Sequence, residues 1–430
     1  MKEIRLLDGK WVLCNGSIYD PFDRRYIEGD LLLEDGVITK IGKISKNSNI
    51  KKIDCSGKII TSGFIDLHAH FREPGREDKE TLKTGSLSAM SGGFTRVCVM
   101  PNTIPPLDSP ESIRFIKDKS RDLPIQIYPI GAITIGQKGN ELAEYGGMVS
   151  EGAVALSDDG LPVQNGQVLR LALEYSSMYG VPVINHAEDV PLRNDGLMNE
   201  SSLSTKLGLD GNPDISESVM VFRDLEIAEY VKGRIHIPHV STAKSVEIIK
   251  NYKSKGVNVT AEVTPHHIGL TEKSLINFDT NAKVAPPLRT ENDCLALIEG
   301  LRDGTITCIA TDHAPHTIEE KEKDFKHAPC GMIGLESAFA LTYTTLIKND
   351  FTIENIIGLF TSGPASVLGW KINPFEIGQK AEIVVIDLDA DWNFSKKDIF
   401  SKSKNSPMLG MNFKSQIIKT ICGKNIFEKK

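Results

Sequence analysis

The sequence predicts an α/β protein, a (β/α)8 barrel of the TIM type with a small β domain built from both chain termini. Three features carry this prediction. The 430 residues exceed one ordinary hydrophobic core, so a large domain and a smaller one are expected. Short apolar runs alternate with longer helical patterns through the middle of the chain, whereas both ends contain only short strands and turns. The expected boundaries are 1–57 and 366–430 for the β domain and 58–365 for the barrel.

Eight apolar runs rich in β-branched residues are the candidate parallel strands. They cover residues 59–66, 95–100, 125–130, 153–157, 181–185, 235–238, 257–263 and 306–311. The helical patterns between them include 109–120, 164–179, 217–232, 243–255 and 290–302. This number of units has the size and rhythm of a barrel. A doubly wound open sheet is the alternative, because periodicity does not show whether a sheet closes.

The two chain ends are expected to pair with each other. Runs 30–34 and 37–41 flank Asp35-Gly36, a dipeptide suited to a tight hairpin turn. Runs 381–386 and 417–421 near the other end are also strand-like. Neither end is large enough for a stable sheet domain by itself, so one shared β domain is the hypothesis.

Composition excludes several classes of function. A net charge of −7 gives no basic surface for nucleic acid or for an anionic membrane. The chain start has no signal-peptide pattern, and no run reaches the ~20 apolar residues of a membrane span. The seven cysteines are scattered and never form a C-x-x-C pair, which fits a reducing compartment. A cytoplasmic protein is expected.

Polar residues follow five of the predicted strands directly. Because the carboxyl ends of barrel strands form the catalytic face, these groups are expected to converge. His68 and His70 point the same way at a strand exit, so both imidazoles can meet one ion. The other groups contain Asp158 and Asp159, His186, His239, and Asp312 with His313 and His316. Four of these histidines, His68, His70, His186 and His239, together with two aspartates make a nitrogen and oxygen ligand set that suits Zn²⁺ or a comparable divalent ion.

Other histidines have simpler interpretations. His236 lies inside the sixth strand run, and a hydrogen-bonded core histidine is the better interpretation. His266 and His267 follow the seventh strand and are expected to be structural. His327 lies at the end of a charged, lid-like segment at 318–326 and is expected to face solvent.

Five motifs together resemble the set found in bacterial dihydroorotases, members of the amidohydrolase superfamily. They are HAHFREPG at 68–75, MPNT at 100–103, NHAED at 185–189, HVST at 239–242 and ATDHAPH at 310–316. The match runs in the same order from about residue 57 to residue 334. His-x-His alone marks only the superfamily, whereas the first and last strings are far more specific. The resemblance implies reversible cyclisation of N-carbamoyl-L-aspartate to L-dihydroorotate with loss of water, in pyrimidine biosynthesis.

The resemblance also implies roles in metal binding and catalysis. His68, His70 and Asp312 would hold one ion, and His186 and His239 a second, so one or two Zn²⁺ ions are expected. Asp159 would bridge them, because relatives place the bridging carboxylate directly before a glycine. Many relatives use a carboxylated lysine, but residues 153–160 contain none. Asp312 would take the proton from the attacking water and deliver it to the departing ring nitrogen.

Substrate residues are likewise implied by the resemblance. Arg72 offers a planar fork of donors suited to the substrate carboxylate. Asn102 and His316 would add contacts, His70 would also touch substrate, and Cys330-Gly331 would bind the ring through backbone groups. The alternatives are that Arg72 pairs with Glu73 or Asp78 on the surface and that Asn102 is a turn residue.

One position departs from the family pattern. Relatives often have Asn before the Pro-Pro-Leu-Arg string, where it binds substrate, but this chain has Ala285. Alanine cannot form a side-chain hydrogen bond, so that hydrogen bond is either absent or supplied by another residue such as Asn281.

Two other functions stay open. One is a hydantoinase, dihydropyrimidinase or allantoinase acting on a neutral ring, and the other is an inactive assembly subunit of aspartate transcarbamoylase. Such subunits typically lose metal ligands, and all six are present here. A homodimer and association with the transcarbamoylase are open expectations.

Overall fold

The structure is a computed structural model that describes residues 4–45 and 50–429. Its strands, in chain order, are β1 (Ile4–Leu6), β2 (Lys10–Cys14), β3 (Ser17–Asp20), β4 (Arg25–Ile27), β5 (Asp30–Glu34), β6 (Val37–Gly42), β7 (Lys51–Asp54), β8 (Ile59–Ser62), β9 (Phe64–Ala69), β10 (Phe94–Val99), β11 (Gln126–Pro129), β12 (Leu156–Ser157), β13 (Val183–Ile184), β14 (Met198–Asn199), β15 (Gly211–Asn212), β16 (Ile235–Ile237), β17 (Val259–Val263), β18 (Cys308–Ile309), β19 (Glu382–Asn393), β20 (Asn412–Cys422) and β21 (Asn425–Glu428).

The α-helices mostly follow the barrel strands. They are α1 (Leu82–Ser91), α2 (Pro110–Ser120), α3 (Tyr145–Ser150), α4 (Gly166–Ser177), α5 (Val190–Arg193), α6 (Ser202–Leu207), α7 (Ile215–Val231), α8 (Ala243–Ser254), α9 (Pro265–Gly269), α10 (Glu291–Arg302), α11 (Ile318–Lys321), α12 (Ala338–Leu346), α13 (Ile353–Phe360) and α14 (Ser362–Leu368). Short 3-10 turns cover Ile135–Gln137, Glu272–Leu275, Thr280–Ala282, Ile347–Asn349 and Lys396–Asp398.

Eight parallel strands form a closed barrel. One sheet has the order β11-β10-β9 and a second has the order β12-β13-β16-β17-β18. Two parallel bridges join these sheets at both edges, Gly131 with Leu156 and Ala69 with His313. Closure is therefore complete, and the alternative of an open doubly wound sheet is wrong.

The barrel core lies between the strands and the helices outside them. Val97, Val183 and Ala261 from the strands belong to one buried cluster with Leu173 of α4 and Leu225 of α7. Several helices begin at the side-chain caps that their sequences predict, since Ser109 caps α2 and Thr290 caps α10.

Both chain ends form one β domain, as predicted. Its larger sheet has the order β1-β21-β20-β19-β8-β3-β4, so strands from the two ends lie side by side in it. Its smaller sheet has the order β6-β5-β2-β7, and β5 and β6 form the expected hairpin around Asp35-Gly36. Leu13 and Leu33 from the first part pack with Ile383 and Ile421 from the last part.

The predicted strand 59–66 is in fact two strands. β8 pairs with β3 and β19 in the β domain, and β9 begins the barrel. The change of sheet occurs at Gly63, whose N–H donates to Glu382 O at 2.8 Å. A Cβ there would lie 2.1 Å from Thr95 Oγ1, so only glycine fits between the two sheets.

Among residues 4–45 and 50–429, no helix combines the length and the apolar character that crossing a bilayer requires.

Candidate active site at the carboxyl ends of the strands

The polar strand ends converge on one pocket of about 210 Å³. All but two of the predicted site residues line this pocket, and those two, His68 and His239, lie beneath it against Asp159. Its lining consists of His70, Arg72, Asn102, Asp159, Gly160, His186, Ala285, Asp312, Ala314, His316, Cys330 and Gly331.

Asp159 lies between two pairs of histidines. Its Oδ2 is 3.2 Å from His68 Nε2 and 3.5 Å from His70 Nε2. Its Oδ1 is 3.3 Å from His186 Nδ1 and 3.2 Å from His239 Nε2. One carboxylate oxygen therefore faces each pair, which is the arrangement that a bridging ligand needs. Asp158 points elsewhere and accepts hydrogen bonds from the backbone N–H groups of 133 and 134.

Asp312 completes the cluster on the side of His68 and His70. Its Oδ1 lies 3.0 Å from His70 Nε2 and 3.6 Å from His68 Nε2. Burial alone would raise the pKa of Asp312, but the hydrogen bond from His70 and the charge of nearby imidazoles hold that pKa well below its usual range. The carboxylate is therefore ionised, as both a metal ligand and a proton acceptor must be.

The donor set fits a divalent ion. Two groups, His68 with His70 and Asp159, and Asp159 with His186 and His239, each bring three buried ligand atoms within 4.8 Å of one another. His68 Nε2 is buried and makes no hydrogen bond, although it points toward two carboxylates. A buried nitrogen without a partner is costly unless a cation occupies the space it faces. Imidazole nitrogens and carboxylate oxygens are ligands that zinc and similar ions accept.

Glu262 fixes the orientation of His68, a role that the sequence pattern did not predict. It lies within β17 and accepts from His68 Nδ1 at 2.7 Å and from His236 Nε2 at 3.1 Å. Burial alone would raise the pKa of Glu262, but these two hydrogen bonds outweigh burial and lower it to about 2. His68 Nε2 is thus left free to face the cluster. One signal in the sequence could have revealed this role: a carboxylate lies inside a barrel strand, which should be buried on both faces.

His70 is oriented by Asn102 in the same way. His70 Nδ1 donates to Asn102 Oδ1 at 2.8 Å, which leaves Nε2 for the cluster. Asn102 is therefore more than a turn residue, and its amide N–H groups remain available at the pocket wall.

Arg72 enters the pocket without a carboxylate partner. Its Nε donates to Pro315 O at 3.3 Å, and no described carboxylate lies within 4.0 Å of it. The two surface partners that were its alternatives are occupied, since Asp78 pairs with Arg76 and Glu73 with Lys119. Burial lowers the pKa of Arg72 to about 10, so it still carries its charge at neutral pH.

His316 lies beside Arg72 and is neutral. Burial and the positive charges of Arg72 and Lys79 lower the pKa of His316 to about 2. Its Nε2 donates to Cys330 O at 2.9 Å, and its Nδ1 accepts from Lys79 Nζ at 3.1 Å. The carbonyl of Cys330 thus belongs to the pocket wall, and the residue itself is exposed.

Three of the other histidines have partners outside the pocket, whereas His266 is buried and its Nε2 makes no hydrogen bond among the described residues. His236 bonds to Glu262 and to Thr260 Oγ1, and His267 bonds to Pro286 O at 3.0 Å. His327 is exposed and pairs with Asp324.

Ala285 lines the pocket, but Asn281 does not. The Asn281 side chain bonds to Asp279 at 3.0 Å instead. Asn281 therefore lies away from the pocket in this structure, and its role in substrate binding stays a prediction.

Comparisons with known proteins show which family and fold this chain resembles. A family model described as "Dihydro-orotase-like" matches residues 57–245. The chain is 46% identical to a protein named dihydroorotase from Caldicellulosiruptor saccharolyticus, over 97% of this chain and 98% of that one. It is 45% identical to a dihydroorotase from Acetivibrio thermocellus, over 96% and 98% of the two chains. Among solved structures, an L-hydantoinase from Arthrobacter aurescens has a TM-score of 0.85 and 23% identity to this chain. The match covers 98% of this chain and 96% of the hydantoinase. That likeness shows the shared fold.

Proposed function

The chain belongs to the dihydroorotase family, and from this premise we propose that it interconverts N-carbamoyl-L-aspartate and L-dihydroorotate in de novo pyrimidine biosynthesis. The observation that carries the proposal is Arg72. Its guanidinium, which has no carboxylate partner among residues 4–45 and 50–429, lies in the same pocket as a buried cluster of histidines and aspartates. A substrate with a cyclic amide and a carboxylate matches both features, whereas a neutral ring matches only the cluster.

The proposed metal is zinc, with one or two ions per chain. His68, His70 and Asp312 would hold one ion, His186 and His239 the other, and Asp159 both. The geometry of Asp159, with one oxygen toward each histidine pair, supports this assignment. When bound, such an ion supplies a water of lowered pKa and polarises an amide carbonyl.

The chain's own residues would then manage the proton and the substrate. Asp312 would accept the proton of the attacking water and return it to the ring nitrogen that leaves, and the reverse sequence would close the ring. Its lowered pKa means that the carboxylate is ionised at neutral pH, which is the state that a proton acceptor must start from.

Substrate binding is proposed on the opposite pocket wall. Arg72 and the amide of Asn102 would hold the carboxylate, while His70, His316 and the backbone of Cys330 and Gly331 would contact the substrate. His316 is neutral, which supports a role in hydrogen bonding. Arg72 already supplies the positive charge that the substrate carboxylate needs.

The test is an assay of the metal-loaded enzyme on dihydroorotate and on hydantoin or dihydrouracil. We expect a clear preference for dihydroorotate. A preference for the neutral ring would support the hydantoinase-like alternative, and no turnover of either ring would support an inactive assembly subunit for aspartate transcarbamoylase.

Further parts of the proposal concern location, assembly and domain division. None of the seven cysteines forms a disulfide, which supports a cytoplasmic location.

Three exposed apolar side chains on the adjacent helices α4 and α7 support a homodimer. They are Met178 just after α4, and Phe222 and Tyr230 in α7. Light scattering of the parent and of Tyr230→Glu tests the dimer. Association with the transcarbamoylase is kept as a proposal, and so is the division at 1–57, 58–365 and 366–430, except that strand β8 (Ile59–Ser62) belongs to the β domain.

A further inference from the structure

The connection between β19 and β20, residues 394–411, extends from the β domain to the catalytic face of the barrel. Phe400 N donates to Glu336 Oε1 at 2.9 Å, and Ser403 Oγ donates to Lys79 O at 2.7 Å. Ser401 Oγ also bonds to the fully buried Glu80. The connection is therefore attached to the loops that follow the first and eighth barrel strands.

Asn405 is the residue of this connection that lies directly behind the pocket. It is 4% exposed. Its Nδ2 donates to Ala314 O and to Gly331 O, both at 3.1 Å, and its Oδ1 accepts from His316 N at 3.1 Å. Its carbonyl accepts from Ile333 N at 3.0 Å. The two loops are bonded to each other directly, from Ala314 N to Met332 O at 2.8 Å and from His316 Nε2 to Cys330 O at 2.9 Å, and the buried amide of Asn405 adds three further bonds between 314–316 and 331.

These two loops carry one wall of the pocket. Ala314, His316, Cys330 and Gly331 all line it, yet Asn405 does not. The loops touch closely, since a Cβ on Gly331, whose φ is +130°, would lie 2.8 Å from Ala314 Cβ and 3.0 Å from His316 Nε2. A small change in their separation would therefore displace His316 and the backbone groups of Gly331 together.

We propose that Asn405 is a positioning residue for substrate binding. It sets the distance between the two loops and so the position of His316 and Gly331 relative to Arg72. The kinetic consequence of this inference rests on the proposed function, whereas the structural consequence does not. The side chain is suited to the task because an amide supplies two donors and an acceptor in one plane.

Asn405→Asp is the sharpest variant. It keeps the acceptor for His316 N but replaces both donated hydrogen bonds with a carboxylate facing two carbonyl oxygens. Asn405→Ser is the milder variant, because it leaves room for a water molecule to bridge the same groups. Asn393→Asp is the matched control, since Asn393 Nδ2 donates to Gly410 O and Asn412 Oδ1 at the exposed end of the same connection.

Steady-state kinetics on dihydroorotate and hydrogen exchange without substrate test the proposal together. A misplaced binding group weakens the binding of the substrate and of the transition state equally. KM should therefore rise at least ~10-fold, with kcat within about threefold of the parent. The backbone amides of 314, 316 and 331–333 should exchange faster, metal content should be unchanged, and Asn393→Asp should behave as the parent.

The proposal is overturned if folded Asn405→Ser or Asn405→Asp shows parental exchange in both loops. It is also overturned if kcat alone falls. If the parent itself does not turn over dihydroorotate, the proposed function fails, and the exchange measurement still decides whether Asn405 ties the two loops.

Discussion

The two walls of the pocket are built differently. The proposed metal wall contains His68, Asp159 and His239, which lie at or just beyond strand ends and are held by groups within the barrel such as Glu262. The proposed substrate wall contains Arg72, His316 and Gly331 on loops, and these are held by other loops and by the connection 394–411. The residues proposed to bind metal thus lie on rigid elements, while those proposed to recognise substrate lie on segments that can vary without altering the first group.

The largest expected effect comes from the metal wall. Asp312→Asn keeps an oxygen near the proposed metal site but removes the group that we propose accepts and returns the proton. Turnover of dihydroorotate should fall by about 10²–10⁴, with the fold retained by circular dichroism. Turnover within a few-fold of the parent would exclude Asp312 as the proton carrier.

The corresponding change on the substrate wall is Arg72→Met. Loss of one partner of a buried charge pair costs about 2–5 kcal/mol. The kcat/KM on dihydroorotate should fall at least ~30-fold, since 1.4 kcal/mol is about a factor of ten. Turnover of hydantoin or dihydrouracil should hardly change, because a neutral ring offers Arg72 no anion. Equal loss on both kinds of ring would show that Arg72 serves the metal wall instead.

Glu262→Gln separates support of the metal from contact with it. The substitution leaves the shape but weakens the acceptor that orients His68 and His236. Affinity for zinc should fall about 10–100-fold, the usual cost of losing such a partner. Titration with a competing chelator measures this, and saturating zinc should restore most of the activity. Unchanged zinc affinity would mean that His68 is held by other contacts.

The same contrast explains what the sequence could predict. The metal wall was predictable because His68-Ala69-His70, His186 and Asp312 follow apolar runs, and barrel topology brings strand ends together. The strand break at Gly63 could not be predicted, because two sheets meet there within one continuous apolar run. Asn405 carried no signal either, because the partners of its side chain lie 74 to 91 residues away in sequence and a loop has no periodicity.

The smallest expected effect concerns a hydrogen bond to substrate that alanine cannot make. Ala285 lines the pocket, whereas Asn281, the other candidate for that hydrogen bond, is bonded to Asp279 away from the pocket. Ala285→Asn should add one hydrogen bond to bound dihydroorotate, worth about 0.5–1.5 kcal/mol, and so lower KM about 2–10-fold.

Asn281→Ala is the control for that change, and it should leave KM within about twofold of the parent because the residue has no access to substrate. Both variants should bind zinc like the parent, since neither position contacts the metal wall. An unchanged or higher KM in Ala285→Asn would mean that bound substrate has no unmet hydrogen bond near 285. A rise in KM in Asn281→Ala would assign that hydrogen bond to Asn281 and require the loop at 279–285 to move when substrate binds. The pair of variants therefore decides whether the substrate wall is complete as it stands or is completed by a loop.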